Sequence, residues 1–280
     1  MLLPHQVRER FASLTQSPDE SIDLARGALL IAQEEYPDLE INHYIRMLDD
    51  MALEVQARLP ANQGPGQVID VINQYLFDEM AFSGNREDYY NPKNSFLNEV
   101  LDTRLGIPIT LSIIYLELGW RLGLPLVGVG LPGHFIVGCK EDEGELLIDP
   151  YNAGSFLSAE DCQQRLDQIY GGVLSLRPEY LSALPRKGIL IRILNNLKSI
   201  YISRREHAKA LAASERILLL DPESAHELRD RGLLFAQTGL FARAIADLEA
   251  YLQMLPPFTS GTDVERIRKN LEVMKKFLDI

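Results

Sequence analysis

The sequence predicts an α+β fold, and three observations along the chain support that class. Residues 1–90 carry apolar residues at helical spacing. Residues 106–150 read as a buried helix followed by three short strands. From residue 188 onward the sequence repeats with a period of about 34 residues, as helical arrays do. We therefore expect a helical N-terminal part, a small antiparallel sheet with a buried central helix, and an all-α repeat region.

The N-terminal part is predicted to be helical. Ser17 followed by Pro18 is typical of a helix start, so one helix is expected to begin there and to end before Pro37. Two further apolar patterns predict helices over 41–60 and 67–82. These faces carry no paired chemical groups, so we interpret them as packing surfaces for the central helix.

The central segment begins at Pro108, which fits the first turn of a helix because the N–H that proline lacks would be unbonded there. Gly123 is expected to end this helix. The strands that follow are predicted over 126–130, 134–139 and 145–149, and the last two are joined by an acidic turn at 141–144. Two polar side chains, His134 and Asp149, lie at strand ends where apolar neighbours would normally exclude them.

The last part of the chain is an internal repeat. A shift of about 34 residues aligns aromatic, small and proline positions with one another. The aligned pairs are Tyr201 with Phe235, Ala210 with Ala244, and Pro222 with Pro256. The small residue lets two helices approach, and the proline ends the second helix of each unit. A final helix over 263–278 is expected to cap the array.

The domain boundary is placed at residue 185, because Pro178 and Pro185 interrupt a connector there. The expected domains are 1–185, made of a helical subdomain 1–90 and a core 91–185, and a repeat domain over 186–280.

The composition narrows the classes of function. The chain has 280 residues and a formal net charge of −12, so neither nucleic acid nor a membrane is expected as a partner. Cys139 and Cys162 are the only cysteines, which predicts a reducing compartment and a cytoplasmic protein. The histidines do not cluster, and no phosphate-binding glycine loop precedes a helix. Neither a metal nor a cofactor is therefore expected.

Three features of the centre resemble the transglutaminase-like superfamily: a helix ending in the letters LGLP, a strand opening with His134, and a strand ending in Asp149. The stretches NSFLNEVLDTRLGIPITLS and GVGLPGHFIV are similar, more narrowly, to bacterial SirB-type proteins. Those proteins join a transglutaminase-like domain to tetratricopeptide repeats, so the resemblance implies that organisation here. It also implies that His134 and Asp149 are two members of a papain-type Cys-His-Asp triad.

The nucleophile of that triad is missing. Counted back from Gly123, the position of the family's cysteine falls on Pro108, which has no reactive group. Cys139 is expected on the opposite face of its strand from His134 and is poorly placed to replace it. We therefore favour a non-catalytic, regulatory protein that acts through protein–protein interaction. Its partner is expected to be a protein or peptide, bound by repeats 186–280 or by the degenerate cleft.

Two other interpretations stay open. One is a hydrolase or acyltransferase in which a displaced hydroxyl, on Thr110 or Ser112, works with the His–Asp pair. The other is a structural subunit of a larger complex, in which the pair only fixes two strand ends. A short helix is expected over 95–101, before the central helix. Asn94 and Asn98 precede the central helix and belong either to a capping network or to the wall of a cleft beside His134.

Overall fold

The computed structural model of the chain describes residues 4–61, 63–141, 144–256 and 259–278. The chain folds into two compact units, Met1–Ile193 and Leu194–Ile280. The first combines helices with a five-stranded antiparallel sheet, and the described regular structure of the second is helical. The predicted α+β class with an all-α C-terminal region is confirmed. The division at residue 185 and the subdomains 1–90 and 91–185 stay a prediction.

Along the chain, helices precede and follow the strands, and the regular structure after β7 is helical up to the C-terminal end of the described chain. The helices are α1 (Pro4–Thr15), α2 (Leu24–Gln33), α3 (Ile41–Gln56), α4 (Pro65–Asn73), α5 (Leu97–Thr103), α6 (Pro108–Arg121), α7 (Ala159–Tyr170), α8 (Arg186–Ser203), α9 (His207–Leu220), α10 (Ala225–Gln237), α11 (Phe241–Met254) and α12 (Thr262–Phe277). The strands are β1 (Ser83–Gly84), β2 (Leu105–Gly106), β3 (Leu126–Val129), β4 (Ile136–Glu141), β5 (Gly144–Asp149), β6 (Ser155–Leu157) and β7 (Ala183–Leu184). Among the described helices, none is long and apolar enough to cross a membrane.

The main sheet has the order β6-β5-β4-β3-β7, with every neighbouring pair antiparallel. Strands β3, β4 and β5 correspond to the three predicted strands. The tip of the predicted turn at 141–144 lies outside the described residues. The prediction did not include the edge strands β6 and β7, because two or three residues are too few to show an alternating pattern. Parallel pairing in the described chain is confined to β1 and β2, which are two residues each.

Helix α6 is the buried centre of the first unit, as predicted. Pro108 is its first residue, and every residue from Pro108 to Gly119 is buried. Gly119 packs directly on β3: a Cβ at this position would lie only 2.1 Å from Leu126 Cδ1. Gly123 follows the helix with a φ of +79°, the left-handed conformation in which glycine commonly ends a helix. The local signals at both ends of α6 were therefore sufficient to place it.

The predicted helix from Ser17 to the residue before Pro37 is wrong at its start. A short 3-10 turn occupies Asp19–Ser21, and α2 begins only at Leu24. The Asp23 carboxylate caps α2 by accepting a hydrogen bond from Arg26 N at 2.9 Å. The Asp19 carboxylate is directed elsewhere: it accepts from the backbone N–H groups that start α8, both at 2.8 Å. Asp19 thus caps a helix distant in sequence, which its local pattern could not indicate.

The second unit is built from packed helices. Ala210 on α9 and Ala244 on α11 are both fully buried, as their aligned repeat positions predict. On α10, a Cβ at Gly232 would lie 2.7 Å from Leu248 Cγ of α11, so these two helices are in close contact. Ile267 of α12 joins the same apolar cluster. The predicted helical array with a terminal helix is confirmed.

Candidate functional site

A buried histidine and a buried aspartate meet at one end of the main sheet. Strands β4 and β5 are antiparallel, with Val137 opposite Ile148, so the turn before β4 and the end of β5 come together. His134 Nε2 lies 2.9 Å from Asp149 Oδ2. The exposed fraction is 5% for His134 and 0% for Asp149. The predicted proximity of these two side chains is confirmed.

His134 lies in a turn and does not open the strand as predicted. His134 N donates to Leu131 O at 3.0 Å, and β4 begins only at Ile136. Arg192 Nη2, from α8, donates to His134 O at 2.7 Å and to Leu131 O at 3.2 Å. Because these carbonyls bond to a guanidinium and not to a neighbouring strand, the sheet pairing starts later. The turn therefore fixes His134 from the backbone side.

The Asp149 carboxylate is the centre of a hydrogen-bond network. Oδ1 accepts from Tyr151 N at 3.1 Å, and Oδ2 accepts from Asn152 Nδ2 at 2.7 Å and from Arg165 Nη2 at 3.0 Å. Burial raises the pKa of Asp149, but the interaction with His134 and the other partners outweighs burial and holds this pKa below its ordinary value. Asp149 is therefore a carboxylate at neutral pH, with its charge shared between His134 and Arg165.

The prediction missed three residues of this arrangement: Asn152, Arg165 and Arg192. Asn152 follows Asp149 by three residues in a turn, so the tendency of aspartate and asparagine to bond within turns could have indicated it. The two arginines come from helices α7 and α8, which carry no local signal of contact with the sheet. Only the folded structure brings them to the site.

Pro108 occupies the first position of α6 and is buried. Two hydroxyls follow it. Thr110 Oγ1 accepts from Ile107 N at 3.1 Å and donates to Asn94 O at 2.8 Å. Ser112 Oγ donates to Phe135 O at 3.4 Å. Both side chains have an exposed fraction of 0%. Each hydroxyl is therefore hydrogen-bonded to backbone groups.

One ring nitrogen of His134 contacts the Asp149 carboxylate, and the other forms no hydrogen bond within the described chain. Nε2 faces Asp149, and among the described residues no hydrogen bond reaches Nδ1. A triad histidine directs one ring nitrogen to the carboxylate and the other to the nucleophile. The arrangement therefore provides an oriented imidazole, but the described structure gives no reactive side chain bonded to it.

The two asparagines named in the sequence analysis have different surroundings. Asn94 Nδ2 donates to Asp88 O at 2.7 Å and to Tyr89 O at 3.1 Å, which closes the loop before the predicted short helix. That helix was predicted from Ser95 but begins at Leu97, because residues 92–95 form a 3-10 turn. Asn98, on α5, is buried, and its Oδ1 has no hydrogen-bond partner in the described chain. The contacts of Asn94 support the capping network.

Aromatic rings cover the sheet end of the site. The Tyr151 ring meets His134 edge to face, with centroids 6.0 Å apart. Tyr89 in turn meets Tyr151 at 6.3 Å. The Arg86 guanidinium lies 5.8 Å from the Tyr151 centroid. Burial raises the pKa values of Tyr89 and Tyr151, so both phenols are neutral at neutral pH.

One cysteine, Cys162, lies close enough to the site to interact electrostatically with Asp149 and Arg165. Neither Cys139 nor Cys162 forms a disulfide, both have an exposed fraction of 0%, and burial raises the pKa of Cys162. In the described part of the chain, no three His, Cys, Asp or Glu side chains come together as metal ligands do. That the protein uses no metal or cofactor stays a prediction.

Comparison with known proteins supports the two-part organisation. Residues 42–195 match the transglutaminase-like superfamily, and residues 197–272 match the tetratricopeptide repeat. A UPF0162 protein of Xylella fastidiosa (strain 9a5c) is 38% identical over 262 residues, which is 92% of each chain. The UPF0162 protein of Vibrio cholerae serotype O1 is 27% identical, over 85% of this chain and 88% of its own.

A eukaryotic protein shares part of the sequence. F-box only protein 21 of Homo sapiens is 28% identical over 75% of this chain, which corresponds to 35% of its own length. No solved structure matches the chain. The names of these relatives do not confirm the narrower SirB-type resemblance.

Proposed function

The chain belongs to the transglutaminase-like superfamily, and on that premise we propose that it is a non-catalytic member that binds a protein or peptide. Tetratricopeptide repeats generally serve protein–protein interaction, because stacked helix pairs form an extended binding surface. Repeats 186–280 or the cleft at His134 would supply that surface here. A regulatory role follows from binding without turnover.

Pro108 carries this proposal. Acyl transfer of the papain type needs a thiolate beside the histidine, and proline supplies neither a thiol nor a hydroxyl. Pro108 is also buried at the first position of α6, the position at which the family resemblance puts the nucleophile. The His–Asp pair alone can orient a bound group or polarise a water, but it supplies no thiol or hydroxyl to form the acyl-enzyme of a triad.

The surroundings of Asp149 support the same proposal. In a working triad the carboxylate stabilises the imidazolium that forms during catalysis. Here Arg165 already bonds to the same oxygen, at 3.0 Å, and compensates part of its charge. A pair with these contacts is well suited to fixing the ends of β4 and β5.

The second candidate is a hydrolase or acyltransferase that uses a hydroxyl. One observation favours it: Ser112 Oγ bonds to the carbonyl of Phe135, the residue after His134. Against it, Thr110 and Ser112 both bond to backbone groups and are fully buried, so neither is free to attack a substrate. We retain this alternative because a turnover measurement decides it directly.

We infer a cytoplasmic location, because neither Cys139 nor Cys162 forms a disulfide, as is usual in a reducing compartment. With a net charge of −12, a protein partner is favoured over nucleic acid.

The full chain should be assayed against ester and amide substrates and labelled with a fluorophosphonate, which reacts with activated hydroxyls. We expect turnover and labelling equal to those of His134→Ala, because no nucleophile is in place. Turnover by the unmutated chain that His134→Ala abolishes would overturn the proposal. Thr110→Val and Ser112→Ala would then show which hydroxyl, if either, carries the activity.

A further inference from the structure

The site has an excess of positive charge in an acidic chain. The net charge of the chain is −12, yet three arginines, Arg86, Arg165 and Arg192, bond to Asn152 Oδ1, Asp149 Oδ2 and His134 O, and Asp149 supplies the one carboxylate among these acceptors. Only Arg165 bonds to it. Arg86 Nη2 bonds instead to Asn152 Oδ1 at 2.7 Å. Among the described residues, neither Arg86 nor Arg192 forms an ion pair.

Arg192 holds its charge in a partly desolvated position. It bonds to two backbone carbonyls of the His134 turn, and burial lowers its pKa. Gly130 makes room for the guanidinium, since a Cβ there would lie 3.0 Å from Nη1. Tyr89 and Tyr170 interact with the same guanidinium electrostatically. A half-buried cation without a counter-ion favours an anion from outside the chain.

An apolar patch lies beside the same turn. At the end of α7, Ile169 is 44% exposed and Tyr170 is 39% exposed, and Val173 just beyond is 86% exposed. Ile169 packs against the turn: a Cβ at Gly133 would lie 2.9 Å from Ile169 Cγ2 and 3.4 Å from Tyr170 Oη. Exposed apolar residues beside unpaired charges are typical of surfaces that bind another chain. We call Ile169, Tyr170 and Val173 the apolar rim.

We propose that this surface binds an acidic peptide segment of a partner protein, with a carboxylate at Arg86 and Arg192 and an apolar side chain on the apolar rim. The inference rests on the proposed function, because it names the chemistry of the partner at that site. Charge complementarity selects the occupant, since the two arginines lack carboxylates and a protein of this net charge disfavours acidic segments elsewhere on its surface. Tyr151 lies beside Arg86, and Tyr89 interacts electrostatically with Arg192, so each arginine has a neutral phenol near it.

The test is binding of the purified full chain to an array of synthetic peptides in which leucine alternates with aspartate, asparagine or lysine. We expect the aspartate peptides to be retained and the asparagine and lysine peptides not. The best aspartate peptide, labelled with fluorescein, is then titrated by fluorescence anisotropy. Arg86→Gln should weaken binding at least about fivefold, the loss expected when a charge-assisted hydrogen bond is removed. Val173→Ser should weaken it about threefold.

Controls separate this surface from general charge effects. Arg46→Gln removes the same charge from an exposed position on α3 and should leave binding unchanged. Arg86 is exposed, so Arg86→Gln tests the proposal even where Arg192→Gln unfolds the turn. Equal retention of aspartate, asparagine and lysine peptides, or equal losses in Arg86→Gln and Arg46→Gln, would overturn the inference. Cleavage of a retained peptide would overturn the proposed function and leave the carboxylate preference standing.

Discussion

The sheet end of the candidate site contains a complete hydrogen-bonded pair, whereas the helix end offers no nucleophile. At the sheet end, His134 and Asp149 are 2.9 Å apart and buried. At the helix end, Pro108 begins α6, and Thr110 bonds to backbone groups. Each end is well ordered by its own contacts, but only one of them has the groups that acyl transfer requires.

A buried His–Asp pair is therefore weak evidence for catalysis. Asp149 accepts hydrogen bonds from Tyr151, Asn152 and Arg165 besides its contact with His134. Those contacts join a turn and the α7 helix to the sheet, so we expect the pair to stabilise the fold whether or not chemistry occurs. Experiments must therefore separate effects on stability from effects on reactivity.

The largest effect is expected at the sheet end. Asp149→Ala leaves the His134 ring and the Arg165 guanidinium without their carboxylate in a buried site. We expect a loss of about 3–5 kcal/mol in the free energy of unfolding, as for other broken buried pairs. Urea denaturation measures it. Asp50→Ala, at an exposed position on α3, is the matched control and should change stability by less than about 0.5 kcal/mol. Similar losses in the two variants would contradict a structural role for the pair.

A smaller effect is expected at the helix end. Thr110→Val keeps the shape of the side chain but leaves Ile107 N–H and Asn94 C=O without their partner. The expected loss is about 2 kcal/mol, because buried polar groups would be unsatisfied. A change below about 0.5 kcal/mol in the same denaturation experiment would show that Thr110 is not the capping group described here.

The smallest effect is expected in how the free energy of unfolding depends on pH in the acid range. The pKa of Asp149 is lowered in the folded state from an ordinary value of 3.8, so its ionised form stabilises the fold above that pH. This contribution is lost as the pH falls through the folded-state value. Asp149→Asn lacks the titrating group, so its free energy of unfolding should fall less steeply below pH 3.8 than that of the unmutated chain. Parallel pH profiles would contradict the lowered pKa.

Local signals in the sequence predicted the elements that lie closest to the site. Pro108 and Gly123 marked both ends of α6, and the β-branched runs marked β3 to β5. The start of α2 was wrong because Asp19 bonds to the start of α8, a partner 167 residues away. Arg165 was missed for the same physical reason. A side chain whose partner comes from a remote helix carries no periodic or spacing signal that a sequence pattern can show.

The central claim is that the site is a papain-type triad lacking only its nucleophile, and Pro108→Cys tests it most directly. The substitution alters no intrahelical hydrogen bond, because the N–H at the first helical position has no partner within the helix. The variant is treated with iodoacetamide, and peptide mass mapping follows each thiol separately. Pro108→Cys combined with His134→Ala is the control that removes the base.

If the claim is correct, the introduced thiol reacts with iodoacetamide faster than Cys139 and Cys162 do. Its reaction rate rises at a lower pH than that of an ordinary thiol, and adding His134→Ala removes both effects. A thiol at position 108 that reacts no faster than Cys139 and Cys162, or equally fast with and without His134, would contradict it.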